Sequence, residues 1–237
     1  MAGATFTVDV EADWAGTGTR GIREALPRLV NLLDRHGATA TFFVVAELVD
    51  LVTPILPPGG PHEVGSHGLT HRTLTRLAPD EARREVVESK RRLENAGYSV
   101  EGFRAPYFAR PAGLGEVLAD AGYRYDASVG ALHPLRRPRV PADEPLPVVG
   151  AGTLRDGRTP FALTYLRLVH PLGLRLVGPD PGTFWCHPHE LVEHTAGWTR
   201  LPPGVRHLHR RASGTPAWGI LERLLSGLRF TSIRARS

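Results

Sequence analysis

Apolar positions along the chain switch repeatedly between the spacing typical of strands and the spacing typical of helices. Runs of β-branched and aromatic residues predict buried strands at 4–10 and 38–45. Residues 16–37 carry apolar side chains at helical spacing and end on a glycine, and 78–97 opens on Pro-Asp-Glu, so both segments predict helices. The same criteria predict the remaining elements: strands beginning within 62–68, around 102–106, at 123–128, at 183–187 and near 228–233, and helices over 111–121, 161–176 and 216–227.

Strand and helix therefore alternate as βα units, interrupted by a proline-rich stretch at 133–147 that predicts a long irregular loop. Repeated βα units favour a parallel sheet or barrel covered by helices, in which functional residues follow the carboxyl ends of the strands. A length of 237 residues with 41% hydrophobic content fits one α/β domain over 1–237 better than two.

Charge is unevenly distributed along the chain. The overall net charge is +5, and the segment at about 200–237 holds eight arginines and a single acid, Glu222. A basic C-terminal segment of this kind could meet nucleic acid, anionic lipid or an acidic substrate. Only one of the 29 basic residues is a lysine, Lys90, so genome base composition is the simpler explanation for the arginines. The predicted helix at 161–176, with Arg167 and Arg175, could lie on a membrane surface or simply cover the barrel.

The sequence shows no recognisable export signal and no membrane-spanning segment. Its N-terminus leads directly into a strand, and no apolar run is long enough to span a bilayer. The single cysteine, Cys186, excludes an intramolecular disulfide. We therefore expect a cytoplasmic protein, with peripheral contact at the inner membrane face as an option.

The first predicted strand runs out into three acids in the stretch VDVEADW. Asp9, Glu11 and Asp13 occupy every second position, so their carboxylates point to one side if the strand persists. Such an arrangement is repulsive unless a cation, a basic group or water offsets it. A solvated loop after the strand would explain the same pattern.

A histidine pair follows another predicted strand in the stretch GSHGLTH. In an extended chain His67 and His71 would lie about 13 Å apart, whereas one helical turn brings them to about 6 Å. A shared metal, with bonds to nitrogen of about 2.1 Å, therefore requires a turn here, and the neighbouring glycines permit one. Two histidines with a carboxylate from another strand end would leave coordination positions open for water and substrate.

Three further predicted strand ends carry chemically capable side chains. FRAPYF supplies Arg104 and, after Ala-Pro, Tyr107; TFWCHPHE supplies His187; and YRYDAS supplies Asp126. Each residue also has a purely structural interpretation: Arg104 as a surface ion-pair residue, His187 as a packed histidine and Asp126 as a turn residue. Their joint occurrence at strand ends favours a common site.

These motifs resemble, in order and spacing, those of the polysaccharide deacetylases, carbohydrate esterase family 4. The resemblance rests on VDVEADW, GSHGLTH, RAPYF, YDAS and CHPHE and covers most of the chain. It implies an α/β fold of the distorted (β/α)7 barrel type. The last third is similar to the bacterial branch associated with exopolysaccharide synthesis, and the first 45 residues are similar to the branch that deformylates a lipid-linked amino-arabinose.

The resemblance implies a divalent metal ion, zinc first and Co²⁺, Ni²⁺ or Mn²⁺ as alternatives. It makes Asp9 the general base and His67 and His71 metal ligands. The usual family motif has a second aspartate directly after the base, where this chain has Val10. Because Glu11 shares the side of the strand with Asp9, we predict Glu11 as the third ligand, with Asp13 in reserve.

The remaining roles follow from the needs of amide hydrolysis, and the resemblance supports those of Tyr107 and His187. Arg104 would hold Asp9 ionised, and Tyr107 with Pro106 would lie at the substrate and oxyanion position. His187 would donate a proton to the leaving nitrogen, kept protonated by an acid such as Asp126. His189 and Glu190 are alternative donors. Cys186 has no base partner in the sequence, which indicates packing.

The predicted function is metal-dependent removal of an N-acetyl group from a free, polymeric or lipid-linked amino sugar. Deformylation of a lipid-linked amino sugar is the close alternative. A non-catalytic carbohydrate-binding protein on the same scaffold is the alternative of another class. No nucleic-acid partner is expected, since no nucleic-acid module is recognisable and aromatic residues are only 7%.

Overall fold

The computed structural model describes residues 3–13, 18–130, 142–193, 206 and 210–236. The strands are β1 (Gly3–Val10), β2 (Thr41–Val44), β3 (Glu63–Ser66), β4 (Gly102–Phe103), β5 (Tyr125–Val129), β6 (Val148–Gly150), β7 (Thr183–Cys186) and β8 (Arg229–Thr231). The α-helices are α1 (Leu26–Arg35), α2 (Val49–Val52), α3 (Pro79–Asn95), α4 (Leu114–Asp120), α5 (Leu163–Leu168) and α6 (Thr215–Gly227). A five-residue π-helical turn, Gly21–Ala25, leads directly into α1.

The strands form one parallel sheet that curls into a nearly closed barrel. Their order is β6-β5-β4-β3-β2-β1-β7, and β8 pairs with the first residues of β1. The segment after β6 joins the two edges: the Gly152 N–H donates to the Thr183 carbonyl at 2.8 Å, and the Trp185 N–H donates to the Phe161 carbonyl at 3.2 Å. The prediction of a distorted (β/α)7 barrel is confirmed.

Alternation along β1 separates the core from the interior of the barrel. One set of side chains is fully buried against the helices: Ala4, Phe6, Val8 and Val10. The alternate set, which includes Thr7 and Asp9, faces the inside, where it meets polar groups from other strands. The period of two therefore explains why Val10 belongs to the apolar core while Asp9 and Glu11 share the other side.

One prediction of secondary structure was wrong, and the strand β6 was not predicted. The helix expected over 161–176 is only the short α5 followed by a 3₁₀ turn, Gly173–Leu176, and Pro171 lies between them. Proline has no backbone N–H to continue a helix, so the apolar periodicity was misleading there. β6 was not predicted because its three residues, Val148–Gly150, follow directly after the expected proline-rich loop at 133–147 and are too few to give a strand pattern. The first part of that loop, 133–141, lies outside the described residues.

Part of the predicted basic C-terminal segment, residues 200–205, 207–209 and 237, also lies outside the described part of the chain. Among the residues that are described, no helix is long and apolar enough to cross a bilayer.

Candidate active site

Side chains from four strand ends, those of β1, β3, β4 and β7, meet with two residues of α5 in one cleft of about 240 Å³ at the carboxyl-terminal side of the barrel. Its lining is Asp9, Glu11, His67, Tyr107, Phe108, Thr164, Tyr165, Trp185 and His187. In parallel barrels the carboxyl ends of the strands converge on one face, so residues far apart in sequence become neighbours there.

Asp9 forms a buried ion pair with Arg104. The Nη1 atom of Arg104 donates to Oδ1 of Asp9 at 2.7 Å, and both side chains are almost completely buried. Arg104 is held in turn by the Thr7 hydroxyl at 2.9 Å and by the ring of Phe43, which lies 4.2 Å from its guanidinium carbon. The sequence placed Asp9 and Arg104 at the same site, and the structure brings them into direct contact.

Glu11, His67 and His71 converge just beyond the end of β1. One ligand atom from each lies within 4.8 Å of the other two. Oε2 of Glu11 is 3.7 Å from Nε2 of His67 and in closer contact with Nε2 of His71. Burial alone would raise the pKa of Glu11, but the charge of His187 and the hydrogen bonds with His67 and His71 outweigh burial and hold that pKa well below its usual value.

A tight turn brings the two histidines together. Gly68 and His71 both adopt positive φ values, 80° and 63°, which the glycine accepts without a Cβ penalty. The buried carboxylate of Glu85, from α3, accepts hydrogen bonds from the N–H groups of Leu69 and Thr70 at 3.0 and 2.9 Å. Sequence reasoning missed Glu85. The available signal was an acid next to Val86 on the apolar side of an otherwise surface-charged helix.

The chemistry of this donor set fits a divalent cation. Nδ1 of His67 lies 2.8 Å from the Arg104 carbonyl, and since a carbonyl can only accept, Nδ1 carries the proton. The lone pair of a neutral His67 is therefore on Nε2, which faces Glu11 and His71. A backbone carbonyl that fixes the ring of a ligating histidine in this way is a usual feature of metal sites. Two imidazole nitrogens and one carboxylate oxygen suit zinc and its neighbours in the transition series.

Asp13, the reserve ligand, is not part of this cluster. Its two carboxylate oxygens accept hydrogen bonds from the N–H groups of Arg20 and Gly21, each at 2.9 Å. Asp13 thus accepts hydrogen bonds from N–H groups that have no partner within the helix, at the start of the helical segment that leads into α1. The arrangement favours Glu11 over Asp13 as the third ligand.

His187 lies across the cleft from the histidine pair. Nε2 of its ring is 3.9 Å from Oε1 of Glu11, and Nδ1 is 3.3 Å from Oε2 of Glu190. Burial alone would lower the pKa of His187, but the nearby carboxylates of Glu11, Glu190 and Asp9 outweigh burial and raise that pKa to about 9. In the metal-free chain the ring is therefore an imidazolium at neutral pH.

The acid beside His187 is Glu190, and the expectation that Asp126 would fill this place was wrong. Asp126 is the second residue of β5, and its Oδ2 accepts a hydrogen bond from Nε of Arg110 at 2.8 Å. Its neighbour Ala127 packs on the inner side with Phe43, so alternation turns Asp126 to the other face of the strand. Predicting that Asp126 lies in a strand was not enough to predict the face of the strand to which its side chain points.

Arg167, considered above as a residue of a membrane-facing helix, is instead 1% exposed. Its Nη1 donates to Oε1 of Glu190 at 2.8 Å, and the same oxygen accepts from the Thr164 hydroxyl at 2.5 Å. The helix at 163–168 therefore turns this arginine towards the protein interior, not towards a membrane.

Tyr107 lies at the rim of the cleft, whereas its neighbour Pro106 is buried and does not line the cleft. They belong to a 3₁₀ turn, Pro106–Phe108, in which Tyr107 has a φ of 58°. The Tyr107 ring is half-exposed and packs 4.9 Å from the ring of His71. Burial and the charge of Glu11 raise the pKa of the Tyr107 hydroxyl, so it remains protonated.

Two neighbours of His187 in the sequence, Cys186 and His189, are both buried. Cys186 is fully buried, and burial raises the pKa of its thiol well above the usual value, which agrees with a packing role. His189 is also buried, and its ring stacks on that of His187 with centroids 4.7 Å apart.

Comparisons with known proteins agree with this architecture. The family model "Polysaccharide deacetylase" matches residues 8–125, the part of the chain with Asp9, Glu11, the histidine pair and Arg104. A chitooligosaccharide deacetylase from Rhizobium leguminosarum bv. phaseoli is 32% identical over 87 residues, which are 34% of this chain and 38% of that protein. A peptidoglycan-N-acetylglucosamine deacetylase from Bacillus cereus is 27% identical over 158 residues, which are 63% of this chain and 57% of that protein. The chain thus spans well under two thirds of these relatives.

Solved structures share the fold at low identity. Peptidoglycan deacetylase PdaC from Bacillus subtilis superposes with a TM-score of 0.58 at 16% identity, covering 99% of this chain and 88% of that one. A carbohydrate esterase family 4 pseudoenzyme from Bacillus anthracis superposes with a TM-score of 0.56 at 18% identity, covering 99% of this chain and 64% of that one. With its barrel, its motif order and the matched segment all in agreement, this chain belongs to the polysaccharide deacetylase family, carbohydrate esterase family 4.

Proposed function

We propose that this protein is a metal-dependent hydrolase that removes the N-acetyl group from an amino sugar. The observation that carries the proposal is the arrangement in the cleft. A carboxylate held by an arginine (Asp9) and an imidazole held by a second carboxylate (His187) both border a cluster of two histidines and one glutamate. Amide hydrolysis needs a base for water, a proton for the departing amine and charge stabilisation between them.

Asp9 is the general base in this proposal. The Arg104 guanidinium donates to one carboxylate oxygen of Asp9, while Thr7 and Phe43 keep the guanidinium in place. A water molecule in the cleft would give its proton to Asp9 as it attacks the acetyl carbon. Proton transfer to a positioned base of this kind typically accelerates a reaction by about 10²–10⁴-fold.

Glu11, His67 and His71 would hold the divalent cation. When bound, such a cation lowers the pKa of water and polarises a carbonyl oxygen. His67 contributes Nε2 because its Nδ1–H is committed to the Arg104 carbonyl. The Arg104 segment therefore supports both halves of the site: its guanidinium holds the base, and its carbonyl orients a ligand.

His187 is the proton donor to the leaving nitrogen. Its Nδ1 side is engaged by Glu190, which leaves Nε2 directed towards the cleft and Glu11. The backbone N–H of Tyr107, at the cleft rim, would assist in holding the negative charge that develops on the acetyl oxygen. The proton taken by Asp9 and the proton given by His187 balance the overall addition of water.

The names of the relatives support the substrate class. They are chitooligosaccharide and peptidoglycan-N-acetylglucosamine deacetylases, so an N-acetylated amino sugar in an oligosaccharide or polysaccharide is the first substrate to test. The pseudoenzyme among the structural neighbours shows that the fold alone does not secure activity. In this chain Asp9 is paired with Arg104 and both histidines lie beside Glu11, which supports an active site.

The test is release of acetate and formate from N-acylated amino sugars and oligosaccharides, with metal-loaded wild type and Asp9→Asn side by side. We expect metal-dependent acetate release that is lost in the variant. Formate release alone would favour the deformylase alternative. Metal binding without release of either acid from any substrate would contradict the proposal and favour a carbohydrate-binding protein.

A further inference from the structure

Glu190 contacts both the main chain and the ring of the proposed proton donor. It lies in the 3₁₀ turn Pro188–Leu191, and its Oε2 accepts the backbone N–H of His187 at 3.0 Å. The same oxygen lies 3.3 Å from Nδ1 of the His187 ring. One carboxylate oxygen therefore fixes the strand end and the side chain of the same residue.

The other oxygen of Glu190 is anchored to α5. Oε1 accepts hydrogen bonds from Nη1 of Arg167 at 2.8 Å and from the Thr164 hydroxyl at 2.5 Å. Glu190 and Arg167 are each 1% exposed. A buried ion pair of this kind adds little net stability compared with an apolar pair of the same volume, so stability alone does not account for it.

The His187 ring has little freedom to turn away from this carboxylate. It stacks on His189 with an interplanar angle of 17° and meets the edge of Trp185 with centroids 5.4 Å apart. Because Nδ1 faces Glu190, the Nε2 atom on the opposite side of the ring faces the cleft, where it lies 3.9 Å from Glu11. Asp126, the acid expected in this role from the sequence, is paired with Arg110 on another face of its strand.

We propose that Glu190 is the positioning residue for His187, and that Arg167 and Thr164 hold Glu190 in the orientation that aims Nε2–H of His187 at the leaving nitrogen. Glu190 exchanges no proton in this scheme. The proton on Nε2 passes to the amine as the C–N bond breaks, and Nδ1–H stays hydrogen-bonded to the carboxylate. The inference rests on the proposed function, which assigns His187 as the donor.

The experiment compares two leaving groups. An amide of an amino sugar needs a proton on its departing nitrogen, whereas 4-nitrophenyl acetate releases a phenolate that leaves without one. For metal-loaded Glu190→Gln we expect kcat on the N-acetylated oligosaccharide to fall about 100-fold at unchanged KM, the scale of acid–base catalysis. The rate on the activated ester should stay within about threefold of wild type.

Two further variants make the comparison decisive. His187→Asn should show the same selective loss, and Glu190→Gln/His187→Asn should lose no more than His187→Asn alone, because Glu190 acts through the histidine. Glu63→Gln, a buried carboxylate at the other end of the barrel, should lower neither rate selectively. If Glu190→Gln does not fold, Glu190→Asp keeps the charge beside Arg167 but withdraws it from His187 and should show the same selectivity.

Equal loss on amide and ester, or additive loss in the double variant, would overturn the inference and make Glu190 purely structural. A measurement that does not depend on catalysis tests the role of Glu190 separately from the proposed function. The wild-type protein should show a downfield imidazole N–H proton NMR signal, assigned to His187 by its loss in His187→Asn and also lost in Glu190→Gln. Absence of that signal in the wild type overturns the inference, whereas its presence without hydrolysis of either substrate overturns only the proposed function.

Discussion

The two ends of the barrel each contain an inward-facing carboxylate, and the two differ in what surrounds them. Glu63, at the amino-terminal end, accepts hydrogen bonds from the Thr41 hydroxyl at 2.6 Å, the Tyr125 hydroxyl at 2.9 Å and the Arg234 N–H at 3.0 Å. Glu11, at the carboxyl-terminal end, faces imidazole nitrogens from two separate loops.

The neighbours of Glu63 belong to the fold and complete its hydrogen bonding. β8 and the residues after it close this end of the barrel, and Ile233 packs there against Phe43, Tyr125 and Ala127. The neighbours of Glu11 are titratable groups that border an open cleft. A buried polar group that is satisfied by the fold is structural, whereas a cluster that needs a proton or a cation to be satisfied is a candidate for chemistry.

Replacing the base should have the largest effect and should leave the fold intact. In Asp9→Asn we expect kcat for deacetylation to fall about 10³-fold, within the range for loss of a general base. The side-chain volume is kept, so the bound metal measured by elemental analysis should stay near the wild-type content. A variant that keeps its metal and more than a tenth of its activity would contradict the role of Asp9.

Removing a ligand should separate metal binding from folding. In His71→Ala we expect the metal dissociation constant to rise at least about 100-fold, beyond the range seen when only a supporting group is lost. Isothermal titration of the metal-free protein measures this directly. Glu85→Gln serves as the graded control, because it weakens the turn that carries His71 without removing a ligand; it should shift the constant less than His71→Ala does.

The amino-terminal end should respond in stability and not in chemistry. Ile233→Ala removes a buried side chain and should lower the free energy of unfolding by about 2–4 kcal/mol. Denaturant unfolding followed by circular dichroism gives the value. At a temperature where the variant remains folded, kcat should stay within about twofold of wild type; a selective loss of kcat would mean that the two ends are not independent.

The pH dependence of stability should expose the charged pair at the carboxyl-terminal end. In the folded metal-free chain the pKa of His187 is about 9, above an unfolded value of about 6.5. A raised folded pKa stabilises the protein fully below pH 6.5, and this contribution is lost as the pH rises through about 9. Urea unfolding in the presence of a chelator should therefore show stability falling over that window, and the fall should be smaller in His187→Asn.

The smallest effect is expected at Asp126. Because its partner is Arg110 and not His187, Asp126→Asn should change kcat by no more than about threefold and should show no preference between amide and activated ester. If Asp126→Asn instead slows the amide more than the activated ester, as expected for Glu190→Gln, then Asp126 supports the proton donor His187. That result would contradict the assignment of this role to Glu190.

The sequence predicted the parts of the site that local geometry determines. Alternation along one strand was enough to separate Val10 from Asp9 and Glu11, and glycine beside His67 indicated the turn that a shared metal requires. The alternating βα pattern and the motif order likewise led to the barrel. The inferences on alternation and on the turn depend on residues within a few positions of one another, whereas the barrel was inferred from the order of motifs along the chain.

The parts that failed depend on distant contacts. The side of β5 to which Asp126 points is fixed by the register of the whole strand, which the short motif YDAS does not reveal. Arg167 looked like a surface residue because its partner, Glu190, is 23 positions away. Glu190 itself was available three residues after His187, but its support of the ring became visible only from the turn that brings its carboxylate back.

The central claim is that the cluster of Glu11, His67 and His71 holds one cation on which deacetylation depends. The most direct measurement is titration of metal-stripped protein with Zn²⁺ or Co²⁺ while acetate release from an N-acetylglucosamine oligosaccharide is followed. We predict that activity rises linearly and reaches its plateau at one ion per chain, and that Glu11→Ala shows no such rise. Equal activity in excess chelator, or an unchanged titration in Glu11→Ala, would contradict the account.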